Sequence, residues 1–262
     1  KLVLASTSPA RLALLKAGGI DPVTIAPGVD EDAAVERATS MGLIAGTADM
    51  VQFLAKAKAE SQDFSLVLTR YGLERLLYRL SVSSNKDNFL LKGALLFDLW
   101  FDVPLRPTRD IDLLGFGPAE EPLVLAAFEE MCQIECDDGI VFDIHTLKIE
   151  EIRKEANYSG LRISLMGHVD GARCPIQVDI GYGDAVTPAP ETAEYPVMLS
   201  DTPVPVLRVY PRYTVIAEKF EALISLGMIN TRLKDYFDLW VILTTAELDQ
   251  KLLAEAIAAT LA

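Results

Sequence analysis

The stretch RPTRDIDLLG at residues 106–115 sets two carboxylates, Asp110 and Asp112, at alternate positions in an otherwise apolar strand pattern, Ile111-Leu113-Leu114. In a strand, residues i and i+2 point to the same face, about 6.6–6.8 Å apart. Two like charges held there repel, and burial without compensation forces a proton onto one of them. A fold that accepts this strand must therefore bring positive charge to that face or leave it open to water. Divalent cations meet the first condition, and two of them about 3.5–4 Å apart form a clamp suited to phosphoryl or nucleotidyl transfer. A strand end with both aspartates solvated and paired with Arg106 and Arg109 meets the second.

The block just upstream bears on the choice. LKG ends an apolar strand predicted over residues 88–91 and opens a helix predicted over about 94–100, with Gly93-Ala94 at the junction. Backbone N–H groups at a helix N-terminus, unobstructed by a side chain, form a seat for an anion. A phosphate cradle followed by an acidic pair on the next strand is a coherent nucleotide-plus-metal site. A third carboxylate, Asp179, interrupts the apolar strand of CPIQVDIGYGD just before Gly181 and Gly183. On a neighbouring strand it would hold a second ion or accept a proton from an attacking hydroxyl. On an edge strand it would simply face solvent.

Composition limits the classes available. A chain of 262 residues, 50% hydrophobic, can bury a sizeable core in one large or two small domains. A net charge of −14 excludes a basic, sequence-blind grip on nucleic acid, yet is compatible with a nucleotide held through Mg²⁺. The three cysteines, Cys132, Cys136 and Cys174, form no C-x-x-C pair, and with two histidines there is no Cys/His metal spacing. Buried free thiols in a reducing cytoplasm are expected. No apolar run reaches the roughly 18 residues of a membrane span, and the N-terminus lacks a signal peptide's apolar core. The chain opens at Lys1 rather than methionine, so part of the N-terminus is expected to be absent.

Along the chain, KLVLASTSPARLALLKAGGI reads as a short strand, a Ser/Thr/Pro turn and a helix ended by Gly18-Gly19, and VTIAPG as a second strand and turn. Residues 39–49 read as a linker. MVQFLAKAKAE and FSLVLTRYGLERLLYRLSVS have helical spacing, the latter with Leu66, Leu73, Leu76, Leu77 and Leu80 as its stripe. EEPLVLAAFEEMCQI is helical; IVFDIHTLKIEEI, LRISLMGHVD and PIQVDIGYG are strands; YTVIAEKFEALISLG, KDYFDLWVILT and DQKLLAEAIAATLA are helices. Strands flanked by helices indicate an α/β or α+β fold.

The ordered blocks LKGALLF, RPTRDIDLLG, IQVDIGYGD, YPRYTVIAEKFEAL and NTRLKDYFDL resemble the AbiEii/AbiGii toxin family of nucleotidyltransferases, members of the polymerase-β-like superfamily, over about residues 60–245. The resemblance implies a mixed-sheet core carrying a Mg²⁺ site, with two ions, and a helical C-terminal part that completes it. It implies the toxin of a toxin–antitoxin or phage-defence pair, with a cognate antitoxin, that transfers a nucleotide from an NTP to an acceptor, RNA (tRNA ends in some members) or protein. Gly93 and Ala94 fall at the family's glycine turn, and alanine here removes a hydroxyl that some members have. Asp110, Asp112 and Asp179 match its metal-binding carboxylates, and Lys219 the lysine that meets the triphosphate. Lys234, Asp235 and Asp238 match its K-D-x-x-D block, with Asp235 catalytic. A local i,i+4 ion pair between Lys234 and Asp238 is the competing reading. Lys92 lies beside the cradle as a nucleotide contact or a strand cap. Glu218 reads as a solvated helix residue, and His145 and His168 lie on strands without partner signals. Lys92, Arg106, Arg109, Arg212, Lys219, Arg232 and Lys234 are expected to form a local basic mouth. The family continues past Ala262, so the last helices are expected to be incomplete.

LVLASTSPARLALLKAGGIDPVTIAPGVDEDA resembles the opening of Maf-type nucleotide pyrophosphatases, with Ser6, Ser8, Pro9, Arg11, Glu31 and Lys58 at that family's positions. The likeness stops near residue 60, short of the blocks that would hold metal and activate water. The expected organisation is a Maf-like remnant or fusion at 1–48, a nucleotidyltransferase core at 49–208 and a helical part at 209–262. Two other functions stay open at this stage. One is a catalytically idle NTP-binding module; the other is a pyrophosphatase using Arg11 and Lys58.

Overall fold

The computed structural model describes residues 3–4, 23–24, 64–101, 108–154, 158–169, 172–199, 202–227 and 232–261. Ser6, Ser8, Pro9, Arg11, Glu31, Lys58, Arg106 and the expected 39–49 linker lie outside the described residues. The chain divides into two units: Lys1–Leu68 with His168–Cys174, and Thr69–Gly167 with Pro175–Ala262. In the first unit, β1 (Val3–Leu4) and β2 (Val23–Thr24) pair in parallel, at the two places where strands were expected. The Cys174 thiol donates to the Leu68 carbonyl at 3.3 Å.

The second unit holds most of the described fold. Helix α1 (Phe64–Val82) leads into it, followed by β3 (Phe89–Lys92), a 3₁₀ turn (Gly93–Leu95), α2 (Leu96–Trp100) and β4 (Asp110–Gly115). Helix α3 (Glu121–Gln133) precedes three long strands, β5 (Ile140–Lys154), β6 (Tyr158–Val169) and β7 (Ala172–Tyr182). Short strands β8 (Glu191–Glu194) and β9 (Val206–Val209) follow, then helices α4 (Arg212–Leu226), α5 (Leu233–Thr245) and α6 (Gln250–Leu261). The mixed sheet has the order β5-β6-β7-β4-β3-β9-β8, with β4 antiparallel to β3 and parallel to β7. This is the α/β architecture expected, with a mixed sheet and a run of helices at the C-terminus.

Alternation along β4 sorts its side chains. Ile111 and Leu113 are buried and, with Val178 of β7, meet Leu76, Leu77 and Leu80 of α1 and Phe128 and Met131 of α3 around a small internal void. The leucine stripe of α1 therefore covers one sheet face, and Asp110 and Asp112 point to the other.

Helix α1 also buries charge. Arg79 forks onto Asp138 at 2.7 and 3.1 Å and donates to the Ile140 carbonyl at 3.1 Å, beneath the Phe142 ring. Glu74 accepts the Met198 amide at 2.7 Å, and Arg75 donates to the Pro203 carbonyl at 2.9 Å, so the pair fastens the segment before β9 to the helix. Cys132 and Cys174 are buried free thiols and Cys136 is half-buried; burial pushes Cys132 up to about 12.

Burial also pushes the Glu74 carboxyl up from 4.5 to about 7, against the pull of Arg75. The folded chain thus holds this proton more tightly than the unfolded one, and the associated stability is complete below pH 4.5 and lost as pH rises through about 7. Glu74→Gln is expected to flatten that slope, read as urea midpoints collected from pH 4.5 to 8.

Candidate active site

Strand register brings the carboxylates together. Asp112 lies opposite Asp179 across the parallel β4–β7 pair, and Asp110 opposite Gln177. In-register neighbours share a face about 4.8 Å apart. Asp110, Asp112 and Asp179 therefore occupy one patch of the sheet. Lys92 is the register partner of Asp112 on the other side, across β3.

Gly93 follows directly, with φ +75°. A Cβ built there would lie 2.6 Å from both Cβ and Cγ of Asp112. Glycine is required twice at this bend, for its left-handed backbone and because the Asp112 side chain fills the space a methyl would take. The expected α-helical N-terminus is instead a 3₁₀ turn, Gly93–Leu95, ahead of the five-residue α2. The bend thus offers close approach of backbone to carboxylate rather than the aligned amides of a long helix.

The carboxylates have different partners. Asp110 accepts the Thr108 hydroxyl at 2.6 Å. Asp179 accepts a two-pronged bond from Arg162 of β6, Nε to Oδ1 at 2.8 Å and Nη2 to Oδ2 at 2.7 Å. Arg109, one of the two arginines expected beside the acidic pair, is exposed. Arg162 was not singled out in the sequence. Its signal was an arginine between Leu161 and Ile163 in an apolar strand, the same alternation that marks Asp110 and Asp112. Among the described residues no group of three His, Cys, Asp or Glu is arranged to hold one metal ion. The donor set nonetheless fits Mg²⁺, which takes one or two carboxylates and leaves its other positions to water and phosphate. Asp110 and Asp112, half-buried on one face beside the glycine bend, would supply those two.

Lys92 is placed differently from expectation. Its ammonium pairs with Asp184 and, at 3.0 Å, with Glu218, and lies 3.4 Å from the Tyr210 hydroxyl. Burial works against that charge, but Glu218 and Asp184 outweigh it and hold the lysine above its ordinary pKa. Burial raises the Glu218 carboxyl against the pull of Lys92. Glu218 is thus a half-buried partner rather than a solvated residue. Asp184 and Tyr210 were not anticipated, although Asp184 closes the GYGD block.

Lys219, one residue on, is held between Asp235 at 2.9 Å and Asp238 at 2.7 Å of α5, and Arg232 also reaches Asp235 at 2.7 Å. Both aspartates are buried. Asp238 faces Lys219 across the helices, and Lys234, whose local pair with Asp238 was the competing reading, is exposed. Lys92, Lys219 and Arg232 are matched by carboxylates, and Arg212 stacks over Trp100 at 5.3 Å.

Residues 1–70 match the Maf-like protein family. Over this part the chain is 54% identical across 61 residues to a nucleoside triphosphate pyrophosphatase of Leifsonia xyli subsp. xyli, covering 23% of this chain and 28% of that protein. It is 51% identical across 69 residues to the enzyme of the same name from Corynebacterium jeikeium, covering 26% and 33%. The chain thus spans about a third or less of these relatives. Among solved structures, JHP933 from Helicobacter pylori is similar with a TM-score of 0.43 and 15% identity, covering 74% of this chain and 78% of that one. The antibiotic-resistance factor ANT(2'')-Ia is similar with a TM-score of 0.39 and 14% identity, covering 72% and 90%. Residues 75–262 match the family described as nucleotidyl transferase AbiEii toxin, type IV TA system. Both resemblances read from the sequence are borne out, and through the larger one the chain belongs to the AbiEii family of nucleotidyltransferase toxins.

Proposed function

We propose that the chain is a Mg²⁺-dependent nucleotidyltransferase toxin that moves a nucleotide from an NTP to an RNA or protein acceptor in the cytoplasm and is countered by a cognate antitoxin. The observation that carries this reading is the register of Asp112 against Asp179, with Asp110 two residues away and Gly93 packed on Asp112. No helix among the described residues is long and apolar enough to cross a membrane.

In this reading Asp110 and Asp112 hold the metal, and Asp179 joins them when two ions are bound. The ions would supply charge neutralisation on the triphosphate and orient the α-phosphorus for in-line attack. An acceptor hydroxyl forms the new bond to that phosphorus, the bond to the bridging oxygen breaks, pyrophosphate departs and the hydroxyl proton passes to solvent. Gly93 and Ala94 bring the chain close to the phosphates without a large side chain. Lys219 has three donors, of which Asp235 and Asp238 engage two. The third would serve a phosphate oxygen of the leaving group, where a fixed donor contributes most. Lys92 acts through the fold instead, tying α4 to β3.

A second reading draws on the N-terminal likeness to pyrophosphatases. It predicts release of pyrophosphate from free NTPs without any acceptor.

Asp112→Asn is expected to lower nucleotide incorporation by at least about 100-fold with an unchanged circular dichroism spectrum. Labelled NTP, Mg²⁺ and cell extract provide the assay, and full incorporation by this variant would overturn the site. Lys92→Met leaves two carboxylates partly buried without their cation. It is expected to lose about 3–5 kcal/mol in urea denaturation, while the folded protein keeps its NTP affinity within about twofold. A large loss of affinity at unchanged stability would return Lys92 to the nucleotide site.

A further inference from the structure

Asp110, Asp112 and Asp179 share a face, and Arg162 is the cation that bonds Asp179 there. Its fork engages both oxygens of Asp179, at 2.8 and 2.7 Å, and its charge is also felt by Asp110 and Glu150. A guanidinium so placed covers the lone pairs through which a metal ion would bind that carboxylate. The two partners are not equally mobile. The Arg162 side chain is 36% exposed and that of Asp179 only 10%. The arginine can swing into water at little desolvation cost, whereas the aspartate is fixed in the sheet.

We propose that Arg162 is a built-in counter-ion for the acidic face, which yields Asp179 to a divalent cation when the site loads. The proposal rests on the metal-dependent reading above and adds a residue that sets how tightly the ion is held. With the site empty, the guanidinium relieves repulsion between Asp112 and its register neighbour. With the site loaded, the ion takes over that task, and the arginine side chain is released to the rim. An ion bound through Asp179 must therefore break the Arg162–Asp179 fork, and the wild-type affinity for that ion is lower by the strength of that bond.

The test is Mn²⁺ binding to the full chain without nucleotide, followed by electron paramagnetic resonance of the free ion. Arg162→Gln is expected to bind Mn²⁺ about tenfold more tightly than wild type, with Arg162→Lys between them. Thermal melts supply a second readout: the gain in Tm from EDTA to Mn²⁺ should be larger for Arg162→Gln than for wild type. Equal or weaker binding by Arg162→Gln, with the ion lost in Asp112→Asn, would leave the acidic site standing and overturn the exchange. Absence of Mn²⁺ binding in every protein would overturn the metal reading and this proposal together. If Arg162→Gln does not fold, Arg162→Lys decides alone, and an affinity equal to wild type refutes the proposal.

Discussion

Repulsion between two aspartates on adjacent parallel strands is the constraint around which the rest of the site is arranged. At the usual interstrand spacing of about 4.8 Å and an effective dielectric near 20, two full charges repel by about 3 kcal/mol. Register makes the contact unavoidable, since Asp112 and Asp179 face each other by pairing and not by side-chain choice. The opposite sheet face, packed on α1 and α3, fixes that register, because a one-residue slip would turn Ile111 and Leu113 out and the carboxylates into the leucine layer. The apolar core thus holds the charges in place, and the Arg162 fork on Asp179 relieves them.

A second pattern runs through the neighbouring cations. Lys92 is shared by Asp184 and Glu218, and Lys219 by Asp235 and Asp238. Each cluster sets one ammonium against two carboxylates. Such clusters fix geometry well, because losing the cation removes a partner from two buried or half-buried acids at once. They link up as well: Lys92 is the register partner of Asp112, its partner Glu218 precedes Lys219 on α4, and Lys219 is gripped by α5. The path from the sheet to the last helices is a sequence of ion pairs as much as an apolar interface.

Much of this was legible in the sequence where one residue broke a local pattern. Asp110, Asp112 and Asp179 interrupt apolar strands, and Gly93 precedes a helix, so period and exception together marked β4, β7 and the bend. Partners such as these were not legible, because Arg162 and Asp179 are 17 positions apart and Lys92 and Glu218 126 apart. Strand β9 was missed because Pro203, Pro205 and Pro211 crowd it, and those residues read as loop. It nevertheless forms parallel pairing with β3 at Leu91, next to Lys92. Glu218 was misread for a different reason: on a helix with mixed periodicity, an acid beside a lysine looks solvated until the strand end that receives it is known.

The acidic total of the chain, −14, is compatible with the same arrangement. A nucleotidyltransferase must neutralise a triphosphate, and a surface rich in unpaired lysine and arginine would do so directly. Here Lys92, Lys219 and Arg232 are already matched by carboxylates, so on the proposed reading the compensating charge enters with the substrate, as metal ions. Surplus carboxylates then favour the reaction, since they raise the local concentration of divalent cations and the triphosphate raises it further. Metal and nucleotide binding become mutually reinforcing, because each reduces the repulsion the other meets. On the proposed reading, the acidity that excludes a basic grip on nucleic acid is the condition under which this site would accept a highly charged ligand.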